Sequence, residues 1–232
     1  MSTTIVSPQQ ALWRLRAGNE RFISGTRSIE AMISPLRRHE LVEGQAPFAT
    51  ILTCSDSRVP VELVFDQGLG DLFVIRVAGN VVAPSLVGSV EYAAAVLNSQ
   101  LVVVMGHSRC GAVKATLDVL RGRGDVPSEN IRDIVERIRP AIAPIVDSSD
   151  GLDAAGLLDE AILANARAST DHLRHASPLL EARIQSGELA VVGANYDIGT
   201  GRVDFFDVPA TLQKAPPARA ADGASDGAVA IA

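Results

Sequence analysis

The sequence predicts an α/β protein, a parallel-core β-sheet flanked by helices with a helical arm at its N-terminus. Short apolar, strand-like runs at residues 48–53, 71–77 and 101–105 alternate with longer stretches of helical periodicity. That order is the signature of parallel βαβ units with right-handed crossovers. Polar clusters containing both cysteines of the chain follow two of these runs, and the ends of strands are where open α/β sheets build their sites. The composition agrees: 47% hydrophobic, 21% charged and 4% aromatic residues fit a folded, soluble α/β protein and argue against general disorder.

The elements follow in order. Ser7-Pro8-Gln9-Gln10 supplies a capping serine, a proline at the first helical position and a glutamine at the third, so a helix starts here. Ala11, Leu12, Leu15, Phe22 and Ile23 recur at helical spacing, with Gly25 as a stop. With Trp13 nearby, that stripe packs on the main body or on a second subunit. A second start at Ser34-Pro35 leads to a break at Gly44, and His39 sits solvated among charged neighbours on it. The first strand, 48–53, precedes a short helix at 60–65 and a turn at Gly68 and Gly70. The strand at 71–77 ends at Ala78-Gly79-Asn80.

Residues 84–98 carry Leu86, Val90, Ala93, Ala94 and Leu97 at helical spacing with few charges, which marks a largely buried helix. After the strand at 101–105, a helix runs from Cys110 to Leu120, broken by Gly122 and Gly124. Residues 128–146 and 152–184 have helical patterns. His172 and His175 share one face of the latter, but Asp171, Arg174 and Ser177 around them describe a solvated surface rather than a metal pair. Strands at 189–194 and 202–206, joined by a turn at 197–201, close a single domain over 1–208, of which 1–45 form the helical arm. From 209 to 232 the chain is rich in Ala, Pro, Gly and Asp, a disordered or loosely draped tail.

At 232 residues and 24.4 kDa the chain suits one full core. A net charge of −6 and a pI near 5.2 exclude nucleic acid as the main partner, because phosphate binding needs a basic face. The N-terminus lacks a basic start followed by an apolar core, and no stretch reaches the roughly 18 apolar residues of a membrane span. The expected location is cytoplasmic, with no membrane partner. Cytoplasmic thiols stay reduced, so cysteines beside His and Asp point to metal binding or catalysis rather than a disulfide.

The chemistry lies in Cys54-Ser55-Asp56-Ser57-Arg58 and His107-Ser108-Arg109-Cys110-Gly111. Zinc takes thiolate sulfur and imidazole nitrogen tetrahedrally, and catalytic sites leave the fourth position for water. Two cysteines and one well-placed histidine cannot close a four-ligand structural site, so Cys54, His107 and Cys110 suggest a working metal. Cys110 opens a helix, where the dipole favours thiolate. Asp56 and Arg58 are spaced for a carboxylate kept ionised by a guanidinium and aimed at the metal. Each feature alone has a bland reading as a buried hydrophobe, a turn residue or a local ion pair; their joint occurrence at two strand ends does not. H-E-x-x-H, H-x-E with P-C-x-x-C, and C-x-x-C are all missing, which excludes the zinc-protease, deaminase and dithiol-redox readings.

With Cys54-x-Asp56-x-Arg58 and His107-x-x-Cys110-Gly111 in order, the sequence from about residue 8 to 206 resembles the β-class carbonic anhydrases. The resemblance implies zinc on Cys54, His107 and Cys110, and an Asp56/Arg58 dyad in which the aspartate accepts a hydrogen bond from zinc-bound hydroxide. It implies reversible hydration of carbon dioxide to bicarbonate and a proton, and a homo-oligomer, dimer or dimer of dimers, with the N-terminal arm packing on a partner subunit. Gln45, Phe73 and Tyr92 match family positions that shape the substrate pocket, partly from the partner subunit, and Gly111 joins them as a substrate-binding candidate. One branch of the family holds inhibitory bicarbonate on a tryptophan, an arginine and a tyrosine. Arg76 and Tyr196 match the last two, but Ile51 stands at the tryptophan position, which argues against that pocket. Rival readings are hydrolysis of carbon disulfide or carbonyl sulfide on the same scaffold, and a non-catalytic zinc-stabilised scaffold. Asp56, Arg58 and Gln45 argue against the second, since a structural site has no use for them.

Overall fold

The computed structural model of the chain describes residues 6–26, 35–147 and 153–213. Helix α1 spans Pro8–Ser24, and both halves of the expected capping box form: Ser7 Oγ accepts from Gln10 N at 3.3 Å and Gln10 Oε1 from Ser7 N at 3.2 Å. Gly25, at φ 71°, ends the helix in the left-handed region. Ala11, Leu12 and Leu15 are each fully buried by the chain's own body. Of the two destinations expected for the stripe, the main body or a second subunit, these three residues take the first, because a sheet face in reach offers Ile51, Val103 and Met105. Of its large apolar side chains, α1 leaves Trp13 and Ile23 exposed. Helix α2 (Pro35–Glu40) has His39 exposed, as expected; the expected start at Ser34 lies outside the described residues.

Five strands form one sheet: β1 (Ala49–Thr53), β2 (Leu72–Arg76), β3 (Leu101–His107), β4 (Ala190–Tyr196) and β5 (Val203–Phe206). Their order is β2-β1-β3-β4-β5, parallel except for the antiparallel β4–β5 pair. β1 and β3 are neighbours near the middle, with Thr53 opposite both Arg76 and Met105 and His107 opposite Tyr196. Both are buried along their whole length, as strands covered on two faces must be. Strand β3 runs two residues further than its apolar run, so His107 is its last residue rather than the first of a loop.

Between these strands lie α3 (Val61–Val64), a 3₁₀ turn at Ala78–Asn80, α4 (Pro84–Ala95), α5 (Gly111–Leu120), α6 (Glu129–Asp147), α7 (Ala154–Arg174), α8 (Pro178–Gln185) and α9 (Ala210–Gln213). The helical pattern over 152–184 is two helices, because Ser177 adopts an extended conformation, caps α8 by accepting from Leu180 N, and is followed by Pro178 at the first helical position. Leu52, Val102, Val104 and Val191 cover the other sheet face with Val90 of α4, Leu173 of α7 and Leu180 of α8. A third cluster unites Cys54 and Cys110 with Val113, Ile138, Ile142, Leu157 and Ile162, so the two cysteines end in a packed wall supplied by α5, α6 and α7. The expected tail begins with α9, whose Leu212 is buried and whose Thr211 carbonyl accepts from Gln9 of α1; positions 214–232 lie outside the described residues. No helix among the described residues is long and apolar enough to cross a membrane.

Candidate metal centre

Three elements deliver the site. Cys54 leaves the end of β1, His107 ends the adjacent β3, and Cys110 is the N-cap of α5. The loop between the last two turns sharply, with Arg109 at φ 58°. The ligand atoms of Cys54, His107 and Cys110 lie within 4.8 Å of one another. Around a tetrahedral zinc with bonds of about 2.0–2.3 Å, neighbouring donors stand roughly 3.5–4 Å apart, so the set fits such an ion. Among the described residues it is the one such cluster that contains cysteine or histidine. His172 and His175 are exposed, and His175 faces Glu181 Oε1 at 3.4 Å instead.

The imidazole is oriented for ligation. His107 Nδ1 lies 3.0 Å from the carbonyl of Ser108; a carbonyl only accepts, so Nδ1 carries the proton and Nε2 keeps a free lone pair. That Nε2 is fully buried and has no hydrogen-bond partner. An orphaned buried acceptor beside two sulfurs is the mark of a metal position rather than of a satisfied core histidine.

The sulfurs are tuned as a pair. Cys54 is drawn down to about 4 by the hydrogen bond with the Cys110 side chain, against burial, with further help from the Gly79 N–H at 3.3 Å. Cys110, on the other side of the same bond, is pushed up by it and then by burial. The bond favours the thiolate on Cys54 and the thiol on Cys110; a coordinating thiol is deprotonated outright, so a dication held here would displace the remaining proton.

Asp56 and Arg58 meet as expected, and doubly. Arg58 Nε donates to Asp56 Oδ1 at 2.9 Å and Nη2 to Oδ2 at 2.7 Å, while the Arg58 backbone N–H also reaches Oδ1 at 2.9 Å. These bonds to Arg58 hold the Asp56 carboxyl below the usual carboxylate range. Oδ2 stands 4.0 Å from His107 Nε2, so the ionised oxygen borders the ligand cluster. Arg76 serves the backbone: its Nε donates to Cys54 O at 3.2 Å and its Nη2 to Asp56 O at 2.5 Å, fixing the segment between Cys54 and the carboxylate.

Of the pocket candidates, Phe73 and Tyr92 lie apart from this cluster within one chain. Phe73 pairs in register with Thr50, four residues before Cys54, which at about 3.3 Å per residue is roughly 13 Å along the strand. Tyr92 of α4 is 48% exposed, and its ring centroid lies 6.2 Å from that of Phe73. Gln45 is exposed in the loop before β1. Gly111 is exposed at the start of α5, with open space where a Cβ would stand. Sequence reasoning missed Gly79, Ser108 and Arg76 as supports of the site. Their contributions run through backbone N–H and C=O groups, or toward them, and leave no residue-type signal beyond the Ala78-Gly79-Asn80 break.

Fold and site together define an α/β protein with a buried two-sulfur, one-imidazole cluster that fits a metal ion. The carbonic anhydrase family model matches residues 49–203, which contain every ligand candidate, and the chain belongs to that family, in its β class. The chain is 42% identical over 198 residues to "Carbonic anhydrase 2" of Mycobacterium tuberculosis, covering 85% of this chain and 92% of the relative. It is 41% identical to "Carbonic anhydrase" of Mycolicibacterium smegmatis, covering 84% and 92%. Among solved structures, the β-carbonic anhydrase CcaA superposes with a TM-score of 0.67 at 28% identity over 84% of this chain and 95% of that one. The Coccomyxa β-carbonic anhydrase, solved with acetazolamide, gives 0.67 at 26% identity over 82% and 83%.

Proposed function

We propose that Cys54, His107 and Cys110 hold a catalytic zinc ion and that the chain there hydrates carbon dioxide reversibly to bicarbonate and a proton. The observation that carries this reading is His107 Nε2, a buried lone pair with no partner, converging on two sulfurs with an ionised carboxylate at 4.0 Å. Bound zinc supplies a water acidic enough to be a nucleophile near neutral pH.

The remaining work falls to side chains. Asp56 is an acceptor only, and Arg58 already occupies both of its oxygens from one side. Oδ2 would therefore accept the hydrogen of an attacking oxygen held beside it, orienting a lone pair of that oxygen toward the carbon. Arg58 keeps that acceptor ionised, and Arg76 keeps its backbone in place. Gln45 donates to the developing oxyanion, Phe73 and Tyr92 wall the pocket for a small apolar substrate, and Gly111 leaves room beside Cys110. Gln45, Phe73 and Tyr92 serve the centre of a neighbouring copy, making the working form a homo-oligomer, dimer or dimer of dimers. Free thiols as ligands suit the cytoplasm.

The test is stopped-flow hydration of carbon dioxide with zinc content measured on the same sample. Turnover rises in proportion to bound zinc; a fully loaded sample that hydrates no faster than buffer would refute the proposal.

A further inference from the structure

We propose that Asn165 of α7 is a positioning residue for the metal centre, acting through the Gly79 turn on the sulfur of Cys54. The inference builds on the zinc reading above but is read out independently of turnover. Asn165 is 2% exposed, and its Nδ2 donates to the Gly79 carbonyl at 2.8 Å, a bond spanning 86 positions of chain. Gly79 in turn donates its N–H to Cys54 Sγ at 3.3 Å.

The turn between them does not hold this shape by itself. Gly79 sits at φ 72° and Asn80 at φ 44°, two successive left-handed residues of which the second has a side chain and carries strain. The turn is also boxed in: a Cβ on Gly79 would stand 2.7 Å from Ile138 Cδ1 and 3.2 Å from Ala112 Cβ. Packing limits where the Gly79 Cα can go, and the Asn165 amide limits how the following peptide can rotate. Together they fix the direction of the Gly79 N–H. A hydrogen bond to a ligand sulfur draws electron density from it, and partners of this kind hold both the geometry and the donor strength of a ligand. Asn165 thus ties a helix with no ligand of its own to the electronics of the centre.

The test uses the full chain with zinc, and with cobalt(II) as a spectroscopic substitute. Asn165→Leu is expected to bind zinc about ten- to a hundredfold more weakly in chelator competition. Its sulfur-to-cobalt charge-transfer band is expected to move to longer wavelength, since a sulfur without its N–H donor gives up electrons more easily. Ile162→Val, a mild core change on the same helix, is expected to move neither. Wild-type affinity and an unshifted band in folded Asn165→Leu would overturn the proposal. Asn165→Ser, with less steric risk, is read in the same way. If both Asn165 variants fail to fold while Ile162→Val folds, the residue belongs to the fold alone and the proposal is equally overturned. Absence of hydration by the zinc-loaded wild type would instead count against the enzyme reading and leave the affinity and band measurements to judge Asn165.

Discussion

Asp56 is held by three donors from one residue, and that geometry fixes its protonation. Because its carboxyl is lowered by the bonds to Arg58, its contribution to stability is present above the ordinary carboxylate range near pH 4 and is lost as the pH falls through the lowered folded value. Any loss of hydration between pH 5 and 8 therefore arises elsewhere. Asp56→Ala is expected to lower kcat/KM by at least about ten- to a hundredfold with zinc still bound, the usual cost of deleting a partner of the metal site; unchanged bicarbonate formation would remove Asp56 from the mechanism. The sulfurs make a second prediction. The bond between them draws Cys54 down and pushes Cys110 up, so one sulfur favours the thiolate and the other the thiol, and one proton is expected to leave the pair when zinc binds. Calorimetric titrations of zinc in buffers of different ionisation enthalpy should then show about one proton released per ion. A zinc-bound water adds its own proton as the pH rises, so the count is taken below that step; two protons there would mean that the pair is neutral.

At the scale of elements, α1 shows why local preference does not decide a position. Gly18 lies inside this helix, where glycine costs about 1 kcal/mol relative to alanine. A Cβ there would stand 1.7 Å from the Phe65 carbonyl oxygen, and Asn19 beside it bonds Val64 O, Gly201 O and Val203 N. Gly18→Ala is expected to destabilise by about 1–3 kcal/mol, the cost of overpacking, where propensity alone predicts a gain; urea midpoints at fixed protein concentration decide the sign. The same distinction explains what could be read from the sequence. The cap of α1, the buried strands β1 and β3 and the start of α5 were legible because turn chemistry and periodicity are local. The cluster of Cys54, His107 and Cys110 and the pairing of Asp56 with Arg58 were legible because zinc chemistry admits few residue types. The split of α7 from α8 was marked by Ser177-Pro178 but hidden by a continuing apolar pattern. Asn165, Gly79 and Arg76 were not legible as site residues: they act on or through backbone groups that every residue carries, and only the packing of α7 and β2 against the site brings them to it.

For the whole molecule, the division of labour within one chain is the informative feature. The Cys54, His107 and Cys110 cluster and the Asp56/Arg58 pair gather at the C-terminal ends of β1 and β3, whereas Phe73 stands opposite Thr50 and its neighbour Tyr92 is 48% exposed. A large aromatic left in solvent beside another, with Val96 64% exposed one turn further on, is better explained as surface meant for a second copy than as a pocket wall for its own. The alternatives differ in a complementation experiment. Cys54→Ser removes a ligand and Tyr92→Ala removes the aromatic, so each homo-oligomer should be poorly active. If Tyr92 serves the neighbouring site, a mixed dimer has one intact centre: the ligands come from the Tyr92→Ala subunit and the aromatic from the Cys54→Ser subunit. Random pairing makes half of the dimers mixed, each with one complete site of two, so co-expression should recover about one quarter of wild-type activity. If Tyr92 serves its own chain, no pairing restores a complete site, and the mixture stays at the average of its parents.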